Sequence, residues 1–206
     1  MPLIRAIQID ADTKIGIWRI AEAADYFNQV IPPETPVQHP RKRLQHLAAR
    51  HLLTVLAPGF PVHDIRLGNA GKPYLPGHAF HFSLSHSGDM AAAIVSTGHR
   101  AGIDLEHIDD RAWRVRHRFL NAAELEACPG DHGRAYLTLC WCAKEAVYKW
   151  HGDGGISFRE HIRLRPFMPG PAGQISGYLE QGASSCPFRL HYLLEDTFAL
   201  AWTMTP

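Results

Sequence analysis

AGIDLEHIDD, residues 101–110, has the apolar run of a buried strand yet carries Asp104 and Glu106 two positions apart. Side chains alternate across a strand, so these two carboxylates share one face. There they repel each other and resist burial unless something positive lies between them. The stretch therefore marks one half of a candidate cation site. It also marks the point where a second series of elements begins.

Outward from this strand, helix-period segments are followed by runs of strand-period segments, which predicts an α+β fold. Upstream, HPRKRLQHLAARHLLTVL (39–56) places Leu44, Leu47, Ala48, Leu52, Val55 and Leu56 on the stripe of an amphipathic helix ended by Pro58 and Gly59. IGIWRI (15–20) reads as a strand, and ADYFNQVIPP (24–33) as a short helix or turn closed at Pro32 and Pro33. DIRL (64–67) is a short strand, GNAGKPYLPG (68–77) a turn-rich loop, and HFSLS (81–85) and MAAAIVS (90–96) are strands joined at His86, Ser87 and Gly88. Downstream come a helix over 114–120, a loop near Pro129 and Gly130, and a long helix from about 134 to 150. Four strand-like segments close the chain: IRLRPF (162–167), QISGYLE (174–180), FRLHYLL (188–194) and TFALAWTM (197–204).

An internal echo runs through this order. Helix, DIRL, turns and FSLSHSGDMAAAIVS are followed by helix, HIRL, turns and FRLHYLLEDTFALAWTM. Read as a duplication, the chain is two similar αβ halves related by a pseudo-twofold, 1–100 and 101–206. The competing explanation is chance, since four-residue fragments coincide readily in strand-rich chains.

With 206 residues, 46% of them hydrophobic, the chain can bury a substantial core. A formal charge of +1 supplies no global field for nucleic acid, so any electrostatic attraction must be local. The first twenty residues lack the pattern of a secretory leader, and no run approaches the roughly 20 apolar residues of a membrane span. Four irregularly spaced cysteines suit reduced thiols better than disulfides or a zinc framework. A cytoplasmic protein binding neither nucleic acid nor membrane is the expectation. The fourteen histidines include His78, His81 and His86 close together, but with Pro and Gly around them and no HExxH helix they give little support to a metallohydrolase.

The long helix RAYLTLCWCAKEAVYKW (134–150) puts Glu145 one turn before Lys149. On a solvated surface this pair would contribute only about 0.2–0.5 kcal/mol. The helix is otherwise apolar on most sides, with Tyr136, Leu137, Cys140, Trp141, Ala143, Val147 and Tyr148, so its charged face is expected to look into a cleft. Asp104, Glu106 and Glu145 are hard oxygen donors suited to Mg²⁺ or Mn²⁺, whereas zinc would favour His or Cys. Arg41, Lys42 and Arg43 crowd a helix N-terminus, where the macrodipole disfavours cations. That placement points either to a solvated basic turn or to a bound anion, with Arg50 two turns beyond Arg43 extending the basic edge.

Five segments in order, GKP (71–73), FSLSHS (82–87), GIDLE (102–106), FLNAAE (119–124) and WCAKEAVYK (141–149), together resemble the 4'-phosphopantetheinyl transferases of the Sfp-like, pseudo-dimeric type. The departures, Val147 for a frequent aromatic and Ser83 for a frequent Asn, remove no charge. The resemblance implies transfer of the phosphopantetheine arm of coenzyme A to a serine of an apo acyl or peptidyl carrier protein, with release of 3',5'-ADP. It implies that Asp104, Glu106 and Glu145 hold Mg²⁺ beside the pyrophosphate. Lys72 and Pro73 would line the adenine pocket, and Ser85 and His86 would contact phosphate. Arg50 and the upstream cluster, with Arg43 as its candidate, would hold the 3'-phosphate. Which of Arg41, Lys42 and Arg43 makes that contact stays open.

Catalysis would fall to Glu145, Lys149 and His86. Lys149 would stabilise charge on the pyrophosphate, and Glu145 would take the serine proton directly or through water. A monomer is expected, with the carrier at the cleft between halves near Arg111, Arg114, Arg116 and Arg118. In that segment Trp113 and Phe119 are either core residues or part of an interface. The alternative function is a non-catalytic coenzyme A or nucleotide-binding module.

Overall fold

The structure, a computed structural model, describes residues 2–31, 39–68, 71–128 and 133–205. Pro32, Pro33, Pro129 and Gly130, expected to close elements, lie outside the described residues. The elements are β1 (Leu3–Gln8), β2 (Thr13–Arg19), α1 (Ala24–Asn28), α2 (Pro40–Leu56), β3 (Arg66–Leu67), β4 (Pro73–Tyr74), β5 (His81–Ser87), β6 (Met90–Ser96) and β7 (Arg100–His107). They continue with α3 (Asp110–Phe119), α4 (Ala122–Glu126), α5 (Gly133–His151), β8 (Ile162–Leu164), β9 (Ala172–Gln181), β10 (Ser184–Leu194) and β11 (Phe198–Thr205). This mixed α+β chain forms two compact units, one running through Ala101 and taking in Thr205, the other Gly102–Met204.

In the first unit the sheet order is β1-β2-β6-β5. β2 and β6 are antiparallel, with Ile15 opposite Ile94 and Ile17 opposite Ala92. Pro40 starts α2 where its missing N–H is harmless, and the apolar stripe then buries Leu47, Leu52, Leu53 and Leu56 against Trp18, Phe82, Ala91 and Ala93. Gly16 permits the close fit, since a Cβ there would stand 2.8 Å from Leu52 Cδ1. Gln45 Nε2 donates to Gly88 O at 2.7 Å, tying α2 to the β5–β6 turn.

The second unit has the sheet order β7-β11-β10-β9-β8, with the apolar sides of α3 and α5 in its core. Its decisive contact is at Gly102. A Cβ there would lie 2.1 Å from Ala146 O and 2.6 Å from Trp150 N, so β7 and α5 meet backbone to backbone. Neither partner is a flexible side-chain tip that could give way. Gly102→Ala is therefore expected to destabilise by about 3 kcal/mol or more through overpacking. Denaturant melts check this, and an unchanged midpoint would show that the strand and helix can separate freely.

Three features depart from the sequence reading. β1 is an added edge strand. α3 starts at Asp110 rather than near 114, because Asp109 accepts from Arg111 N at 2.7 Å and caps it. α4 is a five-residue helix with a capping box between Asn121 and Glu124. Phe119 is core at 1% exposed, whereas Trp113 is 45% exposed. Cys128, Cys140, Cys142 and Cys186 are free thiols. Among the described residues no helix is long and apolar enough to cross a membrane.

Candidate functional site

Alternation along β7 sends Ile103 and Leu105 into full burial on one side and Gly102, Asp104 and Glu106 to the other, where Gly102 meets α5. Asp104 is only 4% exposed at its side chain, and Oδ1 accepts from Lys149 Nζ at 2.7 Å. Glu106 lies 3.5 Å from Arg111 Nη2, and Arg111 Nε holds Asp109 at 2.7 Å. The positive charge demanded by the paired carboxylates thus comes from Lys149 on one and Arg111 on the other.

Glu145, one turn before Lys149 on α5, feels the same cluster. Burial and then the Asp104 charge, with a further contribution from Glu106, push its carboxyl up to about 7 against the opposing pull of Lys149. Burial works against the Lys149 ammonium, but Asp104 and Glu145 outweigh it and raise its pKa. A group that ionises near neutrality beside a permanent cation can accept a proton at physiological pH. The donors are hard oxygens in mutual electrostatic contact, a chemistry that fits Mg²⁺. Among the described residues, no three His, Cys, Asp or Glu side chains are already converged as a metal cage.

A neighbouring pair escaped the sequence reading. Lys144, fully buried, donates to Glu124 Oε2 at 2.7 Å, Phe158 O at 2.9 Å and Ile162 O at 2.7 Å. Glu124 in turn accepts from Asn121 N at 2.9 Å and Leu164 N at 2.8 Å. All three ammonium donors are used, so α5 is fastened at the residue before Glu145 to α4 and to the start of β8. The readable signal was the N-x-x-E pattern of NAAE, matched with a lysine on an apolar helix side. Beside Glu106, α3 and α5 enclose a recess of about 430 Å³, open solvent at its mouth included, lined by Arg111, Val115, Thr138 and Trp141 among others.

In the first unit, Gly71 adopts a positive φ of 75° and turns the chain so that Gly68 N bonds Lys72 O at 2.9 Å, presenting Lys72 and Pro73 at the start of β4. On β5, Phe82 and Leu84 pack toward α2, and His86 continues that face. Ser85, like Ser83 and Ser87, is buried on the other face, so Ser85 and His86 point apart. His86 meets a residue that sequence reasoning missed: its ring lies 5.0 Å from that of His46 on α2. The missed signal was spacing, since His46 stands four residues from both Lys42 and Arg50. Arg43 is exposed and Arg50 half-buried on the same helix.

A sequence model of the 4'-phosphopantetheinyl transferase superfamily matches residues 100–203. The 4'-phosphopantetheinyl transferase AcpT of Escherichia coli K12 is 34% identical over 130 residues, covering 59% of this chain and 66% of that protein. The 4'-phosphopantetheinyl transferase psf-1 of Bacillus pumilus is 37% identical over 79 residues, 37% of this chain and 34% of the relative. A putative 4'-phosphopantetheinyl transferase of Haemophilus influenzae is 30% identical over 125 residues, 57% and 53% of the respective chains. The chain spans just under two thirds of the Escherichia coli relative's length.

Proposed function

Because the chain belongs to the 4'-phosphopantetheinyl transferase superfamily, we propose that it moves the 4'-phosphopantetheine arm of coenzyme A onto a serine of an apo acyl or peptidyl carrier protein, releasing 3',5'-ADP. The observation that carries this reading is the cluster of Asp104, Glu106, Glu145 and Lys149, with Glu145 poised near neutrality. The serine oxygen attacks the β-phosphorus, the phosphoanhydride bond breaks, and the electron pair leaves with 3',5'-ADP. Glu145 takes the serine proton, directly or through water. Lys149 stabilises negative charge on the pyrophosphate as the bond breaks. Asp104, Glu106 and Glu145 would hold Mg²⁺, which when bound would neutralise charge on the pyrophosphate.

In the first unit, Arg50 with one of Arg41, Lys42 and Arg43 is assigned to the 3'-phosphate, His86 to phosphate, and Lys72 with Pro73 to adenine. Ser85, facing away from His86, is assigned a phosphate contact of its own. The two units are read as duplicated halves of a monomer. In each, the strand before the long helix lies beside the last strand and the last beside the penultimate, β2-β6-β5 in one and β7-β11-β10 in the other. The test is direct: incubate the protein with coenzyme A, Mg²⁺ and a panel of apo carriers, and weigh the carriers. A gain of one phosphopantetheine per carrier supports the transferase. Tight coenzyme A binding with no mass gain on any carrier would leave a non-catalytic binding module.

The carrier is assigned to the surface of α3. Trp113 is exposed there with the Arg116 guanidinium 3.9 Å over its ring, Arg114 is exposed beside it, and the recess next to Glu106 opens at the same helix. Carriers of this class are acidic, and a local basic and aromatic surface suits them. Reversing Arg114 and Arg116 to Glu is expected to raise the KM for carrier by about fivefold or more at low salt, where steering is strongest, with coenzyme A affinity unchanged. Unaltered carrier kinetics under those conditions would remove α3 from the docking surface.

A further inference from the structure

We propose that His46 is a further coenzyme A-binding residue, contacting the 3'-phosphate together with His86, Lys42 and Arg50 and taking up a proton as the phosphate arrives. This rests on the coenzyme A reading above and deepens it. Lys42, His46 and Arg50 follow one another at four-residue intervals along α2, so each is one turn from the next. His86 reaches the cluster from β5, its ring 5.0 Å from His46 and tilted 53° to it. The hydrogen bond from Gln45 to Gly88 O joins residues next to His46 and close to His86, and so fixes the approach of helix and strand. Lys42, His46 and Arg50 thus share one side of α2, and His86 faces His46 from β5.

The electrostatics of this arrangement are unfavourable in the chain alone. His46 is exposed on one side, and partial desolvation of its ring, then Arg50, then Lys42 hold the imidazole below its ordinary value of 6.5. The acid of the adjoining turn, Asp89, lies 4.0 Å from Arg19 on β2. The other histidine of this stretch, His51, is packed among Trp18, Tyr26 and Phe27. A dianionic phosphate beside Lys42, His46 and Arg50 would set an attraction against the repulsion that Arg50 and Lys42 exert on His46. It would favour the imidazolium, which can then donate from both ring nitrogens.

The sign of the linkage follows. His46 is largely neutral in the free chain at neutral pH, so phosphate binding draws in a proton, and affinity rises as pH falls.

The experiment has two arms, both on the intact chain. His46 is titrated by NMR through its ring Cε1–H, with and without saturating coenzyme A. Its midpoint is expected to rise by about one pH unit or more on binding, which by linkage corresponds to about tenfold tighter binding at low pH. Calorimetry then compares the wild type with His46→Gln. Coenzyme A should bind the variant about tenfold more weakly at pH 6 but within about twofold at pH 8.5. Dephospho-coenzyme A, which lacks the 3'-phosphate, should not distinguish the two proteins at either pH.

If coenzyme A binds while the His46 midpoint stays put and the variant matches wild type at both pH values, His46 is not a contact and the coenzyme A reading stands. If dephospho-coenzyme A shows the same pH-dependent loss, the 3'-phosphate assignment is overturned. Failure of coenzyme A to bind at any pH would overturn the coenzyme A reading itself.

Discussion

Glu145→Gln is expected to lose transfer by about 10²–10⁴-fold, the range for a positioned acid–base group, and at the same time to melt higher than the wild type in metal-free buffer at pH 8. The second result separates a functional carboxylate from a structural one. In the folded chain Glu145 is pushed from 4.5 up to about 7 by burial, Asp104 and Glu106. Its folded value exceeds its unfolded value, so the protonated form stabilises the fold. That contribution is complete below about 4.5 and is lost as pH rises through about 7.

At pH 8 the ionised Glu145 therefore costs the native state on the order of 2–3 kcal/mol, which glutamine, nearly the same shape and uncharged, would recover. For a chain of this size that is a gain of roughly 4–12 °C in Tm. The gain should vanish near pH 4.5, where the wild type is itself protonated. Mg²⁺ added at pH 8 should stabilise the wild type more than the variant, because a carboxylate ligand has gone. Near wild-type transfer by Glu145→Gln would show that this carboxylate does not accept the proton, and a lower Tm at pH 8 that it does not strain the fold.

The elements around this site were legible because their periods are strong. The helix expected over 134–150 is Gly133–His151, that over 39–56 is Pro40–Leu56, and the strand quoted at the outset is Arg100–His107. Each carries enough apolar residues at one period to outweigh its ends. β1 was not legible, since most of LIRAIQ is exposed and an edge strand has only one neighbour to impose a pattern. The start of α3 was hidden by its charges, which obscure an apolar stripe and become intelligible only through the Asp109 cap.

At the site, the pairing of Asp104 with Glu106 could be read from alternation alone, and so could the need for a positive partner. The identity of Lys149 as the partner of Asp104 depends on how closely α5 approaches β7 at Gly102, a distance that no local pattern encodes, and that of Arg111 as the partner of Glu106 on how the chain turns from β7 into α3. His46 was missed for a related reason. Its spacing from Lys42 and Arg50 is plain, but its contact with His86 requires α2 to lie on the sheet in one particular position.

Lys144→Met is the variant expected to damage the fold most. The lysine is 0% exposed, and its ammonium serves the Glu124 carboxylate and the carbonyls of Phe158 and Ile162. Methionine fills much of the space but leaves two carbonyls short of a donor and a buried carboxylate without its counter-ion. Breaking one side of a buried pair typically costs about 3–5 kcal/mol, here a fall in Tm of roughly 6–20 °C.

Glu124 keeps the Asn121 and Leu164 amides, so the stranded charge is only partly compensated. Lys144→Met combined with Glu124→Gln should consequently be less destabilised than the sum of the two single variants, a coupling that a double-mutant cycle reads directly. The pair also joins α5 to α4 and β8 at the residue before Glu145, so transfer by Lys144→Met should fall even at a temperature where the variant is fully folded. Additive single effects would mean that the two charges act independently, and full activity in a folded Lys144→Met would mean that the turn carrying Glu145 holds its place without them.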